Sequence, residues 1–281
     1  MSLPIVFLHK GNQDFIKYTL AKATETNPDS KIYLIGDASN RYVENISENL
    51  IWLDYENYAG ENSNLLIDNY IHMSTNPAPY EFICIDRWFV INEFMKKEDL
   101  NSCFISDTDV LLYSNVTNLQ KKYFKNHRCT LTHNVSAGIS FMNDRTILEE
   151  YIKLVLDSYT KKDKLMLDKA SAHYQVLQNN NKPGGVCDMT WWMFLRNKNP
   201  PFDFGESMSI VSEESGVHST FDHNINVSYG YDMENGIKKF KFKHGIPYCY
   251  NKTYNLDVKF NCIHFQGQPA KNLIRSYYEI K

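Results

Sequence analysis

The sequence predicts an α/β fold in which a mixed, mostly parallel sheet is flanked by helices, arranged as a single domain over residues 1–281. Two observations support this prediction. In the first third of the chain, apolar segments of strand length alternate with longer segments of helical periodicity, the pattern of strands joined by crossover helices. A hydrophobic content of 43% and a charged content of 22% over 281 residues are typical of a globular protein with a sizeable core.

The first elements follow one another closely. Residues 4–8 are apolar throughout and predict a buried first strand, which a turn at 9–12 connects to a helix over 13–24. Residues 31–37 predict a second buried strand that ends in Gly36 and Asp37, and residues 50–53 a short third strand. Three strands separated in this way are expected to lie side by side in one sheet.

The middle of the chain is more varied. Residues 54–80 are polar and end in two prolines, so we expect short helices and a loop there, followed by a helix over 85–95. Residues 101–113 form an apolar segment interrupted by two aspartates. Amphipathic patterns predict helices over 147–159 and 188–195. Short strands are predicted at 129–131, 138–142 and 260–265, whereas most of the chain beyond residue 200 gives a weak signal.

The charge of the chain excludes some classes of partner. A formal net charge of −3 argues against a protein that binds nucleic acid or coats an anionic membrane, because both depend on an excess of Lys and Arg. A small anionic ligand held by a metal ion remains compatible with this charge. No apolar run approaches the roughly 18–20 residues that a membrane span needs, so we expect a cytoplasmic protein, for which peripheral membrane contact stays open.

Polar side chains fall where the predicted strands end. His9, Asp37 and the pair Asp107 and Asp109 all follow apolar segments, and open α/β sheets bind ligands at the carboxyl ends of their strands. Two carboxylates at i and i+2 suit a divalent cation such as Mn²⁺ or Mg²⁺, which can bridge a diphosphate and assist its departure. The alternative is that the two aspartates only cap the following turn.

Several segments together resemble a known group of enzymes. Residues 104–111, Phe-Ile-Ser-Asp-Thr-Asp-Val-Leu, resemble the strand–DxD–strand element of GT-A glycosyltransferases, whose fold is Rossmann-like. Residues 85–89 resemble the helix before that element, and residues 134–143 resemble the small-residue segment that lines the donor sugar. Residues 264–271 are similar to the C-terminal H-x-x-G-x-x-K element of the glycogenin and bacterial galactosyltransferase branch, except that the lysine comes one residue later.

The resemblance implies roles for individual residues. Asp109 and His264 would ligate the metal, and Asp107 would contact the metal or the ribose. The remaining donor-binding positions are His9, Asp37, Arg87, Ala137, Gly138, Gly267 and Lys271. Residues 1–145 would form the half that binds the nucleotide sugar, and residues 146–281 the half that binds the acceptor and carries the C-terminal metal and phosphate segment. Alternatives stay open for single residues: a hydrogen-bonded core position for His264, a surface lysine for Lys271, a solvated turn for Asp37 and a helix surface position for Arg87.

Asp188 is the candidate catalytic residue. It follows Gly184-Gly185 and precedes Trp191-Trp192, of which at most one is expected to contact a substrate. As a general base it would take the acceptor proton in an inverting reaction, whereas in a retaining reaction it would position the sugar. The resemblance favours the retaining outcome. An N-cap is the structural alternative for Asp188.

The function that the sequence predicts is therefore metal-dependent transfer of a sugar. The donor would be a UDP-sugar, and the acceptor a hydroxyl of a glycan, a glycolipid or a protein. A nucleotidyltransferase is a poor match, because the turn after the first strand contains only one glycine, Gly11, to hold a triphosphate. A non-catalytic carbohydrate-binding or assembly protein with the same fold remains the alternative.

Overall fold

The computed structural model describes residues 2–213 and 215–281. Its strands are β1 (Ile5–Leu8), β2 (Ile32–Gly36), β3 (Leu50–Asp54), β4 (Cys103–Ser106), β5 (Val110–Leu112), β6 (Cys129–Leu131), β7 (Ile139–Met142), β8 (Phe204–Glu206), β9 (Val211–Ser212), β10 (His218–Thr220), β11 (Met233–Glu234), β12 (Ile237–Lys238), β13 (Lys241–Lys243), β14 (Ile246–Asn251), β15 (Leu256–Phe260) and β16 (Cys262–His264). Its helices are α1 (Ile16–Thr26), α2 (Glu61–Asn69), α3 (Ala78–Lys97), α4 (Val116–Leu119), α5 (Thr146–Tyr159), α6 (Lys164–Asn179), α7 (Asp188–Lys198), α8 (Gln268–Lys271) and α9 (Ile274–Tyr278).

The main sheet confirms the predicted fold class. Within the described residues it has seven strands in the order β3-β2-β1-β4-β7-β6-β8. The pairs β3–β2, β2–β1, β1–β4 and β6–β8 are parallel, and β7 is antiparallel to both β4 and β6. The carboxyl ends of β1 to β4 consequently meet at one edge, where an α/β sheet binds its ligands.

Helices cover both faces of this sheet, which explains why its strands are apolar throughout. In β1, Val6 joins the core cluster formed with α3, α5 and α7, whereas Ile5 and Phe7 join the cluster formed with α1 and α9. Strands buried on both faces lose the alternation of polar and apolar residues. The buried strand predicted at residues 4–8 is therefore confirmed, as β1 in the interior of the sheet.

Two helices differ from the sequence prediction. Helix α3 begins at Ala78, seven residues earlier than predicted, because Pro77 and Pro79 lie at its start, where a missing N–H costs nothing. Helix α6 was not predicted at all. Only Met166 and Ala170 are buried along its 16 residues, so its sequence lacks a clear apolar face.

The segment 101–113 contains two strands that belong to different sheets. Strand β4 lies in the main sheet, whereas β5 pairs antiparallel with β16 near the end of the chain. The register places His264 opposite Val110. The two aspartates thus lie in the turn where the chain leaves one sheet for the other.

Within the described residues, the weakly patterned region beyond residue 200 contains a second sheet, in the order β13-β14-β15-β10-β9. Beside it lies an ion pair that is 1% exposed on both sides, with Lys238 Nζ 2.8 Å from Asp222 Oδ1. Lys238 also donates to the carbonyl of Asn224.

None of the helices in the described part of the chain is both long and apolar enough to cross a membrane.

The buried ion pair gives a stability prediction. Lys238→Met should lower the free energy of unfolding by about 3–5 kcal/mol, because the Asp222 carboxylate would remain buried without its partner. Urea denaturation measures this loss. The adjacent Lys239 is 46% exposed on its side chain, and Lys239→Met should leave the urea denaturation midpoint nearly unchanged. Equal effects of the two substitutions would contradict the role given to the pair.

Candidate metal and diphosphate site

Asp107 and Asp109 lie at the carboxyl edge of the main sheet, in the turn between β4 and β5. The pairing of β5 with β16 brings the end of the chain to this turn, and the backbone N–H of Phe265 donates to the carbonyl of Asp109 at 2.9 Å. His264 is therefore held beside Asp109 although 155 residues separate them in sequence. The tertiary pairing, not local sequence, creates the contact.

Three side chains converge here as candidate metal ligands. One ligand atom each from Asp107, Asp109 and His264 lie within 4.8 Å of one another. Two carboxylates and an imidazole form a donor set that Mn²⁺ or Mg²⁺ accepts, with Mn²⁺ the better match to the nitrogen. His264 Nδ1 is buried without a hydrogen-bond partner among the described residues, so the ring has capacity for a further ligand. These residues fit a divalent cation.

A lysine approaches the same carboxylate. Lys271 Nζ lies 3.2 Å from Asp109 Oδ2, and His264 Nε2 lies 3.2 Å from Asp109 Oδ1. Gly267, with φ of 87°, is the residue before α8 and turns the chain so that this short helix presents Lys271 to the site. Lys271 is thus more than a surface lysine, because its charge compensates a buried carboxylate.

These charges shift the protonation equilibria of the site. Burial by itself would raise the pKa of Asp109, but the charges of His264 and Lys271 outweigh it and lower that pKa to about 2. Burial by itself would lower the pKa of His264, but the Asp109 carboxylate outweighs it and raises that pKa to about 9. Without a metal ion, His264 is therefore protonated at neutral pH.

Arg87 bridges two aspartates, Asp107 and Asp188. Its Nη1 donates to Asp107 Oδ1 at 2.5 Å and its Nη2 to Asp188 Oδ2 at 2.5 Å. The indole Nε1 of Trp88 also donates to Asp188, at 3.1 Å. Helix α3 thus supplies two consecutive donors, and Arg87 does not lie free on the helix surface.

Asp188 is the first residue of α7, and Cys187 occupies the N-cap position. Asp188 Oδ1 accepts from the backbone N–H of Met189 at 2.9 Å, and its negative charge is favourable at a helix N-terminus. Trp191 and Trp192 are both fully buried, so neither reaches a substrate. Trp192 instead packs against Trp88 and Tyr151.

Gly138 gives the Asp107 side chain its space. A Cβ at this position would lie 2.2 Å from Asp107 Oδ2, and the carbonyl of Gly138 accepts from the Asp107 N–H at 2.7 Å. The adjacent Ala137 is fully buried. The small residues at 137 and 138 therefore permit β7 to pack closely against the turn between β4 and β5.

His9 and Asp37 lie at the ends of β1 and β2. His9 Nδ1 is 2.8 Å from the hydroxyl of Thr108, and burial together with the charge of Lys271 lowers the pKa of His9 to about 4, so its ring is neutral. Asp37 accepts from the backbone N–H of Gly11 at 2.6 Å and from that of Ser39 at 2.9 Å. Asp37 therefore orders the turn after β1 rather than standing free in solvent.

The sequence analysis did not identify two residues that support the site, Trp88 and Asp222. Trp88 holds Asp188, and it could have been proposed from the motif at residues 85–89. Asp222 accepts from the backbone N–H of His264 at 3.2 Å with the oxygen that Lys238 leaves free. No sequence pattern indicates Asp222, because its role depends on the path of the chain after β10.

Lys271 gives a prediction about metal affinity. A divalent cation on Asp109 competes with the Lys271 ammonium group, so Lys271→Met should raise the affinity for Mn²⁺ without nucleotide by roughly fivefold, about 1 kcal/mol. Electron paramagnetic resonance of free Mn²⁺ measures this affinity. Lys17→Met, at an exposed lysine of α1, is the control and should leave the affinity unchanged. A weaker affinity after Lys271→Met would contradict the competition.

His264 gives a prediction about pH. A histidine must be neutral to bind a metal, and the pKa of His264 is raised to about 9 in the metal-free protein. The Mn²⁺ affinity should therefore rise with pH between 7 and 8.5, by up to about tenfold per unit. His264→Asn should bind Mn²⁺ more weakly and lose most of this dependence. A flat profile for the unsubstituted protein would show that His264 is not a ligand.

No protein-family model matches the sequence, and a search of curated proteins finds no match. Among solved structures, the chain is similar to mouse xyloside xylosyltransferase 1, with 11% identity, a TM-score of 0.45 and coverage of 73% of this chain and 85% of that one. It is similar to the galactosyltransferase LgtC with donor and acceptor sugar analogs, with 12% identity, a TM-score of 0.38 and coverage of 67% and 69%. It is also similar to the glycosyltransferase GlyE of Streptococcus pneumoniae TIGR4, with 12% identity, a TM-score of 0.43 and coverage of 74% and 46%. All three of these proteins are glycosyltransferases, and all three similarities are distant.

Proposed function

We propose that this protein is a metal-dependent glycosyltransferase that uses a UDP-sugar as donor. The observation that carries the proposal is the convergence of Asp107, Asp109 and His264 at the carboxyl edge of the sheet. A divalent cation held there would supply charge that stabilises the departing nucleoside diphosphate. Lys271 lies on the same carboxylate and would contact the diphosphate as a second positive group.

The arrangement also supports a place for the sugar. Arg87 extends from Asp107, on the metal side, to Asp188, so a sugar attached to the diphosphate would lie over this guanidinium group. The sugar hydroxyls could donate hydrogen bonds to Asp188 and accept hydrogen bonds from Arg87. Charged groups in a partly desolvated site bind hydroxyls more strongly than they do in water.

The contacts of Asp188 favour a positioning role. Its carboxylate already accepts from Arg87, Trp88 and the N–H of Met189, so it is held in one orientation with about one acceptor site left for a sugar hydroxyl. This supports the retaining outcome. In the transfer, the acceptor oxygen bonds to the anomeric carbon, the bond from that carbon to the diphosphate oxygen breaks, and the acceptor proton leaves to the diphosphate.

Calorimetric titration of UDP tests the proposal. Binding should be measurable with Mn²⁺ and at least about tenfold weaker with EDTA, and Asp109→Asn should cause a similar loss with Mn²⁺. Asp168→Asn, which changes an exposed carboxylate of α6, is the control and should bind UDP normally. Absence of binding to both UDP and GDP would reject the donor assignment and favour a non-catalytic carbohydrate-binding or assembly protein.

A further inference from the structure

A cleft of about 400 Å³ opens beside Asp188. Its walls come from the start of α3, the end of α6 and the start of α7, together with the glycine pair 184–185. The backbone of Ser74 pairs with Gly185, so the segment before α3 and the segment before α7 form one continuous wall. The cleft is therefore built from elements of the main fold.

The cleft ends at the candidate donor site. Asp188 lines it and also holds Arg87, whose other nitrogen contacts Asp107. Two further lining residues, Val135 and Gln266, belong to the same segments as Gly138 and His264. A molecule in the cleft would thus lie next to the position proposed for the donor sugar, within reach of Asp188.

Apolar side chains form one part of the cleft wall, whereas Asn76, Glu81, His173, Asp188, Thr190 and Gln266 form the polar part. Met189 and Met193 lie one turn apart on α7, Leu177 faces them from α6, and Tyr80 on α3 is 61% exposed. Methionine side chains adapt to irregular apolar surfaces, and exposed apolar groups that meet in a concave site favour an apolar ligand. The part of a bound acceptor that contacts these side chains is therefore expected to be apolar.

The charges of the cleft argue against an anionic ligand. Neither Lys nor Arg occurs among the described residues that line it, whereas Asp188 and Glu81 do. The carboxylate of Glu81 is satisfied internally, with Ser74 Oγ and Asn76 Nδ2 both at 2.7 Å from its Oε1. The nearby Arg87 is already paired with Asp107 and Asp188, so no Lys or Arg of the described lining residues remains to bind a phosphate or carboxylate group of an acceptor here.

We propose that this cleft binds a neutral, amphipathic acceptor: a hydroxyl-bearing sugar linked to an alkyl or aryl group, with the apolar group between α6 and α7. The assignment rests on the proposed function, because it takes the donor sugar to lie over Arg87. It narrows the acceptor to a glycoside with an apolar aglycone.

Ligand-observed NMR titration tests this assignment, with UDP and Mg²⁺ present because Mn²⁺ is paramagnetic. The probes are octyl and methyl β-D-glucopyranoside and octyl and methyl β-D-galactopyranoside, with the octyl compounds below their micelle concentrations, and octyl phosphate. In at least one pair the octyl glycoside should bind at least about tenfold more tightly than the methyl glycoside, because each buried methylene strengthens binding. Octyl phosphate should bind more weakly than that octyl glycoside.

The chain offers a matched pair of variants. Leu177→Asn should weaken binding of the octyl glycoside by roughly fivefold or more, whereas Val176→Asn, at a residue of the same helix that is 59% exposed and does not line the cleft, should not. Thermal unfolding checks that both variants fold. Equal binding of octyl and methyl glycosides, tighter binding of octyl phosphate, or an unchanged affinity in Leu177→Asn would each overturn the assignment.

UDP binding in the same samples separates the two proposals. If UDP binds with metal but octyl glycosides show no preference, only the acceptor assignment fails. If UDP does not bind while the octyl glycoside binds and Leu177→Asn weakens it, the donor assignment fails and the cleft remains a site for apolar glycosides.

Discussion

The close approach of two carboxylates after β4, one buried and one partly buried, is the constraint on which the site depends. Asp109 is 9% exposed, and Asp107 lies beside it, so their charges must be compensated by nearby cations. The compensation comes from Arg87 on α3, His264 on β16 and Lys271 on α8. Three elements distant in sequence are thereby drawn to one turn.

Under the proposed function, this arrangement gives the site a metal side and a sugar side. Asp109 faces His264 and Lys271, whereas Asp107 faces Arg87 and through it Asp188. A cation bound to Asp109 would release Lys271 toward a diphosphate, so metal and nucleotide binding are expected to support each other. In the proposed function, the charges that compensate the carboxylates in the ligand-free protein would also bind the anionic donor.

The buried ion pair beside the second sheet fixes the backbone of His264. Lys238 and Asp222 form a fully buried pair whose desolvation is offset by additional hydrogen bonds to Asn224 and to the backbone of His264. The carboxylate does not touch the imidazole ring. It fixes the backbone from which the ring projects, and groups outside the ligand set often orient metal ligands in this way.

The sequence by itself determined strands β1 to β4 of the main sheet and the turn that contains Asp107 and Asp109, because strands buried on both faces and acidic residues at their ends leave local signals. It did not predict α6, whose few buried residues give no apolar face, nor most of the second sheet, whose short strands depend on partners far along the chain. Only the tertiary structure decided that Arg87 joins Asp107 to Asp188, that Lys271 pairs with Asp109, and that Asp222 supports His264. These contacts are electrostatic and join distant segments, and the energy of a charge depends on its surroundings in space rather than on its neighbours in sequence.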